Sequence, residues 1–167
     1  MQPVTLPGPI AAVLHTAATP DTPTRKDDDV TERTVSSRWD GGLRAVVDAG
    51  GFELVVDEPE SVGGTGRGPQ PTELLLASVA SCFTIALAFV ARKRGVELAG
   101  LRVDVTGTYD GPSFSDLAIA VRADAPDGLD ALVRSAERVC YVTRTLARRP
   151  AITVAAGEDE PRDLAQG

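Results

Sequence analysis

Two cysteines, Cys82 and Cys140, are the side chains in this sequence best suited to do chemistry, and each sits in an apolar, helical-looking stretch. Cys82 follows Pro71-Thr72-Glu73-Leu74-Leu75-Leu76-Ala77-Ser78-Val79-Ala80-Ser81, and Cys140 lies within Glu137-Arg138-Val139-Cys140-Tyr141-Val142-Thr143-Arg144. A zinc site takes three or four protein ligands, which one His and two widely spaced Cys do not supply. The single His15 lies in a Pro/Thr/Asp-rich stretch, and a Cys-His hydrolase needs its base on a rigid element. Two thiols leave redox chemistry, or else plain packing, since a free Cys behaves as a small buried hydrophobe. A reactive thiol needs a cation or a helix N-terminus beside its thiolate. Cys82 lies three turns into its expected helix, so the dipole helps little and an arginine is required.

The elements that must position these thiols follow from pattern. Val30 to Trp39, Leu43 to Asp48 and Phe52 to Asp57 read as strands broken by Asp40-Gly41-Gly42 and Gly50-Gly51, which are hairpin signals. Glu58 to Gln70 is a Gly/Pro loop; its Gly63-Gly64-Thr65-Gly66-Arg67-Gly68 lacks the Gly-Lys-Ser/Thr ending of a phosphate loop. Pro71 opens a helix, where its missing N–H costs nothing, and Gly95 closes it after Arg94. Alternation at Leu101, Val103 and Val105, and again at Leu117, Ile119 and Val121 after the Asp110-Gly111-Pro112 turn, predicts two more strands. Leu129, Leu132, Val133, Ala136, Val139 and Cys140 recur at helical spacing, which puts Cys140 near a helix C-terminus, where the dipole disfavours a thiolate. Ile152 to Ala155 closes the order with a short strand. That order predicts an α+β fold with helices against antiparallel sheet.

Length and composition bound the rest. The 167 residues are expected to form one domain over 30–157, with a flexible tail at 1–29 and a second tail at 158–167. The chain is 43% hydrophobic but only 4% aromatic, so its core must be aliphatic. A formal charge of −7 argues against a nucleic-acid partner, because phosphate contacts need a basic surface. Leu74 to Ala91 carries no charge, yet its serines and alanines suit a helix packed in protein better than one in a membrane. The first basic residue is Arg25, so no secretory leader is expected and the cytoplasm is the expected compartment. There, both thiols would rest reduced.

Gly63-Gly64-Thr65-Gly66, Pro71-Thr72-Glu73-Leu74-Leu75, Ala80-Ser81-Cys82-Phe83, Gly95 and Cys140-Tyr141-Val142-Thr143-Arg144-Thr145-Leu146 together closely resemble the OsmC/Ohr family, over roughly Val30 to Val154. The resemblance implies an OsmC-like fold, an antiparallel sheet with long buried central helices in an intertwined homodimer. It also implies a thiol-dependent peroxidase in which Cys82 attacks an organic hydroperoxide and Cys140 resolves the sulfenic acid to a disulfide. A dithiol or lipoylated-protein reductant would restore the thiols, with no cofactor or metal. In the family's peroxidases the activating arginine comes from the N-terminal hairpin, so Arg38 and Arg44 are the candidates here, and Arg144 could soften the helix-end bias at Cys140. The family's orienting carboxylate directly follows the opening proline, a position held here by Thr72. Glu73 comes next, but nine residues at about 100° each put it half a turn off the face of Cys82. Phe83, Phe89, Phe52 and Trp39 would line the pocket or pack the core. The alternative is a non-catalytic OsmC-like dimer that binds an apolar ligand or senses oxidants.

Overall fold

The computed structural model describes residues 31–124, 128–156 and 162–163. The expected tail at 1–29, with His15, and most of that at 158–167 lie outside the described residues. The chain divides into two units between Thr34 and Val35, and every element named below belongs to the second.

Three strands, β1 (Ser36–Trp39), β2 (Arg44–Ala49) and β3 (Phe52–Asp57), form an antiparallel meander. Gly50 and Gly51 adopt φ of 66° and 88°, the left-handed pair that a two-residue hairpin turn requires. The first strand is shorter than the Val30 start read from sequence. The pairing of β1 with β2 begins at Ser36, which lies opposite Asp48, next to the end of β2.

Asp57 ends β3 and organises the loop that leads to the site. Its buried carboxylate accepts the backbone N–H groups of Glu58, Thr65 and Arg67 and the Thr65 hydroxyl. The Thr65 hydroxyl bond outweighs the opposing effect of burial and, with those N–H groups, holds Asp57 below the usual carboxylate range. The loop is drawn in so tightly that a Cβ on Gly64 would run into the Glu58 carbonyl, and one on Gly68 into the Val55 carbonyl. Gly64→Ala is therefore expected to lower stability by about 3 kcal/mol, read from urea unfolding against wild type; an unchanged midpoint would mean the loop is not held as described.

The long helix α1 (Pro71–Lys93) starts with Pro71 at its first position and is followed by Gly95 at φ 66°. Val79, Phe83, Ala86, Leu87, Val90 and Ala91 form its buried stripe, packed on β4 (Ala99–Asp110), α2 (Leu129–Val139) and α3 (Tyr141–Arg148). Strand β5 (Ser113–Asp124) pairs antiparallel with β4, and β6 (Thr153–Val154) pairs with β7 (Arg162–Asp163). Among the described residues the strands pair antiparallel throughout and fall into three separate sheets.

By length and composition α1 is apolar enough to cross a membrane, and 33% of its most apolar window is buried within the single chain. Within that chain it is buried along one stripe, and Leu75, Ile85 and Phe89 are exposed. One expectation needs correction: Cys140 does not belong to one continuous helix. At φ −73° and ψ 110° it ends α2 and begins α3. No Gly or Pro marks that break in Val139-Cys140-Tyr141-Val142.

Candidate functional site

Cys82 projects from α1 beside the buried stripe, half-buried against the core formed by Phe83, Ala86, Leu87 and Ala136. Cys140 is fully buried in the same cluster. Its backbone is fixed from both sides: its N–H donates to the Ala136 carbonyl at 2.8 Å, and its carbonyl accepts the Arg144 N–H at 3.2 Å. The two sulfurs, both unoxidised, stand 3.3 Å apart. Forming a disulfide of about 2.05 Å needs an approach on the order of 1 Å.

The break in the helix reverses the electrostatics expected at Cys140. As the residue that caps α3, it faces the unpaired N–H groups and positive end of that helix instead of the carbonyl end of α2. Burial pushes its thiol up, but the Thr143 hydroxyl, the Thr143 N–H, the Cys82 thiol and the Val142 N–H together prevail and hold it below its ordinary value of 9.0. The Thr143 hydroxyl also reaches the Cys140 carbonyl at 3.3 Å. The expectation that a helix C-terminus disfavours this thiolate is overturned.

Cys82 opens onto a cleft of about 700 Å³ whose apolar lining residues include Ile85, Ala86, Phe89, Val139 and Tyr141. Arg138, Arg144 and Arg148 line the same cleft. Arg144 donates to the Arg138 carbonyl at 2.7 Å, and Arg138 donates to the Ser135 hydroxyl at 2.9 Å. Among the described residues none of the three forms an ion pair, and no carboxylate lines the cleft.

The other candidates lie elsewhere. Arg38 and Arg44 converge on Asp40 of their own hairpin at 3.1 and 2.9 Å, and Arg44 also donates to the Asp40 carbonyl. These bonds, Arg44 first, hold the Asp40 carboxyl below the usual range. Neither arginine lines the cleft. Glu73 accepts the Gln70 N–H at 2.8 Å and so closes the start of α1. The Thr72 hydroxyl accepts from the Tyr109 hydroxyl at 2.8 Å, tying the helix start to β4. Phe89 lines the cleft; Phe83 is core and lines a neighbouring cavity of about 360 Å³; Phe52 and Trp39 are exposed on the hairpin sheet and line neither. Among the described residues no three His, Cys, Asp or Glu side chains gather where a metal could be held.

Arg138 and Arg148 were not singled out in the sequence. Arg144 and Arg148 carry a usable signal, since four residues apart on a helix they share a face. Arg138 joins them only because the chain turns at Cys140, which spacing does not show.

The site thus places two apposed thiols beside an arginine-lined apolar cleft in an α+β chain. The chain belongs to the family of OsmC-like proteins, whose family model matches residues 64–155. It is 28% identical over 75 residues to the uncharacterized protein YmaD of Bacillus subtilis (strain 168), covering 44% of this chain and 50% of that one. The chain thus spans about half the length of that curated relative. Its fold is similar to an osmotic stress induced and detoxification response protein of Psychrobacter arcticus 273-4, with a TM-score of 0.61 at 24% identity over 71% of this chain and 90% of the other. It is also similar to the organic hydroperoxide resistance protein OsmC of Legionella pneumophila, with a TM-score of 0.54 at 22% identity over 71% and 91%.

Proposed function

We propose that this protein is a thiol-dependent peroxidase acting on organic hydroperoxides. The observation that carries the reading is the pair of sulfurs 3.3 Å apart, one buried and the other lining a cleft. In this reading the Cys82 thiolate attacks the distal peroxide oxygen, the O–O bond breaks, and the alkoxide takes a proton to leave as an alcohol. Cys82 is then a sulfenic acid. The Cys140 thiolate attacks its sulfur, hydroxide leaves and becomes water, and a Cys82–Cys140 disulfide results. A dithiol or lipoylated-protein reductant supplies two electrons to restore both thiols.

The cation beside Cys82 is assigned to Arg144, which its bond to the Arg138 carbonyl orients at the cleft wall. The hairpin residues Arg38 and Arg44 are the rival source, already paired to Asp40. Glu73 serves the helix start and takes no part in the chemistry. The working unit is a homodimer: Ile85 on α1 is 68% exposed and Tyr141 84% exposed, and a second copy would cover them. Members of this family are typically soluble, and a reducing cytoplasm would keep both thiols available.

The test is steady-state consumption of cumene hydroperoxide with a dithiol as reductant. Turnover dependent on both components is expected. If the folded, fully reduced protein consumes no hydroperoxide, the non-catalytic alternative takes its place; that reading draws on Thr72, whose hydroxyl is bonded to Tyr109 where the family's peroxidases carry a carboxylate.

A further inference from the structure

The smaller cavity, of about 360 Å³, has no role in the chemistry proposed for the thiols. Its lining comes from α1, β5, α2 and α3, and neither Ile85 nor Tyr141, which a second copy would cover, is part of it. Most of that lining is hydrocarbon: Phe83, Ile119, Val121, Val133 and Ala147. Glu137 and Arg144 line the same cavity, yet among the described residues these unlike charges form no ion pair with each other. Glu137 makes no side-chain hydrogen bond there either, and Arg144 uses one N–H on the Arg138 carbonyl. Two unlike charges that line one apolar cavity without pairing leave room for a ligand that carries both. A ligand with a single charge would satisfy one group and leave the other to water.

We infer that this cavity is a binding site for a small zwitterion with a branched aliphatic body, an amino acid of that kind, its ammonium on Glu137, its carboxylate on Arg144 and its hydrocarbon against Ile119, Val121 and Val133. The guanidinium fork takes a carboxylate through two parallel hydrogen bonds, and an ammonium supplies the donors that a carboxylate lacks. The aliphatic lining adds affinity without direction. A volume of about 360 Å³ lies at the lower end for ligand pockets, which favours a compact body. Occupancy would reach the thiols. Thr143, in the same lining, donates its hydroxyl to the Cys140 carbonyl, and Arg144 lines the Cys82 cleft as well. A carboxylate that holds Arg144 in the smaller cavity draws positive charge away from Cys82, so the ligand lowers the reactivity of that thiol. This control rests on the assignment of Arg144 to Cys82 in the peroxidase reading; the binding does not.

The test separates the two. Calorimetric titration of the reduced full chain, with no peroxide present, compares L-leucine with isocaproate, which lacks its ammonium, and with isoamylamine, which lacks its carboxylate. Leucine is expected to bind roughly tenfold or more tightly than either analogue. Glu137→Gln should erase its advantage over isocaproate, and Val133→Phe, which fills the cavity, should abolish binding of every ligand. Leucine no tighter than its analogues, an undiminished preference in Glu137→Gln, or binding that survives in folded Val133→Phe would overturn the inference. Glu137 is exposed, so its variant carries the test if Val133→Phe fails to fold by circular dichroism. Alkylation of Cys82 by iodoacetamide is expected to slow severalfold at saturating leucine; an unchanged rate would overturn the control of the thiol and leave the site. Leucine binding that needs Glu137 in a protein consuming no hydroperoxide would leave the site standing and remove the peroxidase reading alone.

Discussion

Cys82→Ser is expected to stop hydroperoxide consumption, a loss on the order of a thousandfold or more, while Cys140→Ser retains a single oxidation. The asymmetry follows from access. Cys82 lines the cleft and meets the substrate first; Cys140 is fully buried behind it and reaches only what forms on the neighbouring sulfur. A serine at 82 removes the nucleophile, since an alkoxide is not available at neutral pH. With serine at 140 the sulfenic acid still forms but finds no thiol 3.3 Å away, so it stalls or climbs to the sulfinic acid. Intact-mass spectrometry reads the result: after one equivalent of hydroperoxide, no added oxygen in Cys82→Ser, one in Cys140→Ser and loss of two hydrogens in wild type, with a second oxygen on Cys140→Ser only after a further equivalent. Oxygen appearing on Cys140 in the Cys82→Ser protein would reverse the assignment.

The cation question reads out in the same proteins. Alkylation of Cys82 should slow in Arg144→Ala and stay near wild type in Arg38→Ala and Arg44→Ala, because the hairpin arginines are occupied by Asp40 and line no part of the cleft. The opposite ranking would return the role to the hairpin.

How far the sequence could be read depended on whether the cause was local. Gly50-Gly51, Pro71 and Gly95 act through backbone geometry that no other residue type meets as cheaply, so hairpin and helix limits were visible at once. Alternation in β4 and β5 likewise shows in the text, because each strand turns one face to α1 and the helices. Both cysteines were legible as a pair through resemblance to a family. The helix break at Cys140 was not, since Val139, Cys140 and Tyr141 are tolerated in helices and only tertiary packing selects ψ 110° there. The Asp57 clamp was hidden for a similar reason. It is one acid among 24 Asp and Glu, and what marks it is a loop folding back eight and ten residues later to donate to it. Arg138 and Arg148 needed both the break and the cleft before their positions meant anything.

That break has a consequence in pH. Cys140 is held below 9.0 in the folded chain, its burial outweighed by the Thr143 hydroxyl, the Thr143 N–H, the Cys82 thiol and the Val142 N–H. The unfolded chain returns the thiol to its ordinary value, so between the lowered folded value and 9.0 the unfolded state binds more protons than the folded one. Stability must then rise with pH across that window. The contribution is complete above 9.0 and is lost as pH falls through the folded value. Thr143→Val removes the largest of the lowering contacts at nearly constant shape, which moves the folded value up and narrows the window. Disulfide closure after one equivalent of hydroperoxide should slow roughly tenfold at neutral pH, because less Cys140 is thiolate when the Cys82 sulfenic acid appears. Urea unfolding of the reduced protein from pH 6 to pH 9 measures the first effect, and stopped-flow fluorescence the second. Wild type should gain stability over the upper part of that range relative to Cys140→Ser, with Thr143→Val between them. Parallel stability profiles for all three proteins would mean that the start of α3 does nothing for the Cys140 thiolate, and that Cys140 resolves by proximity alone.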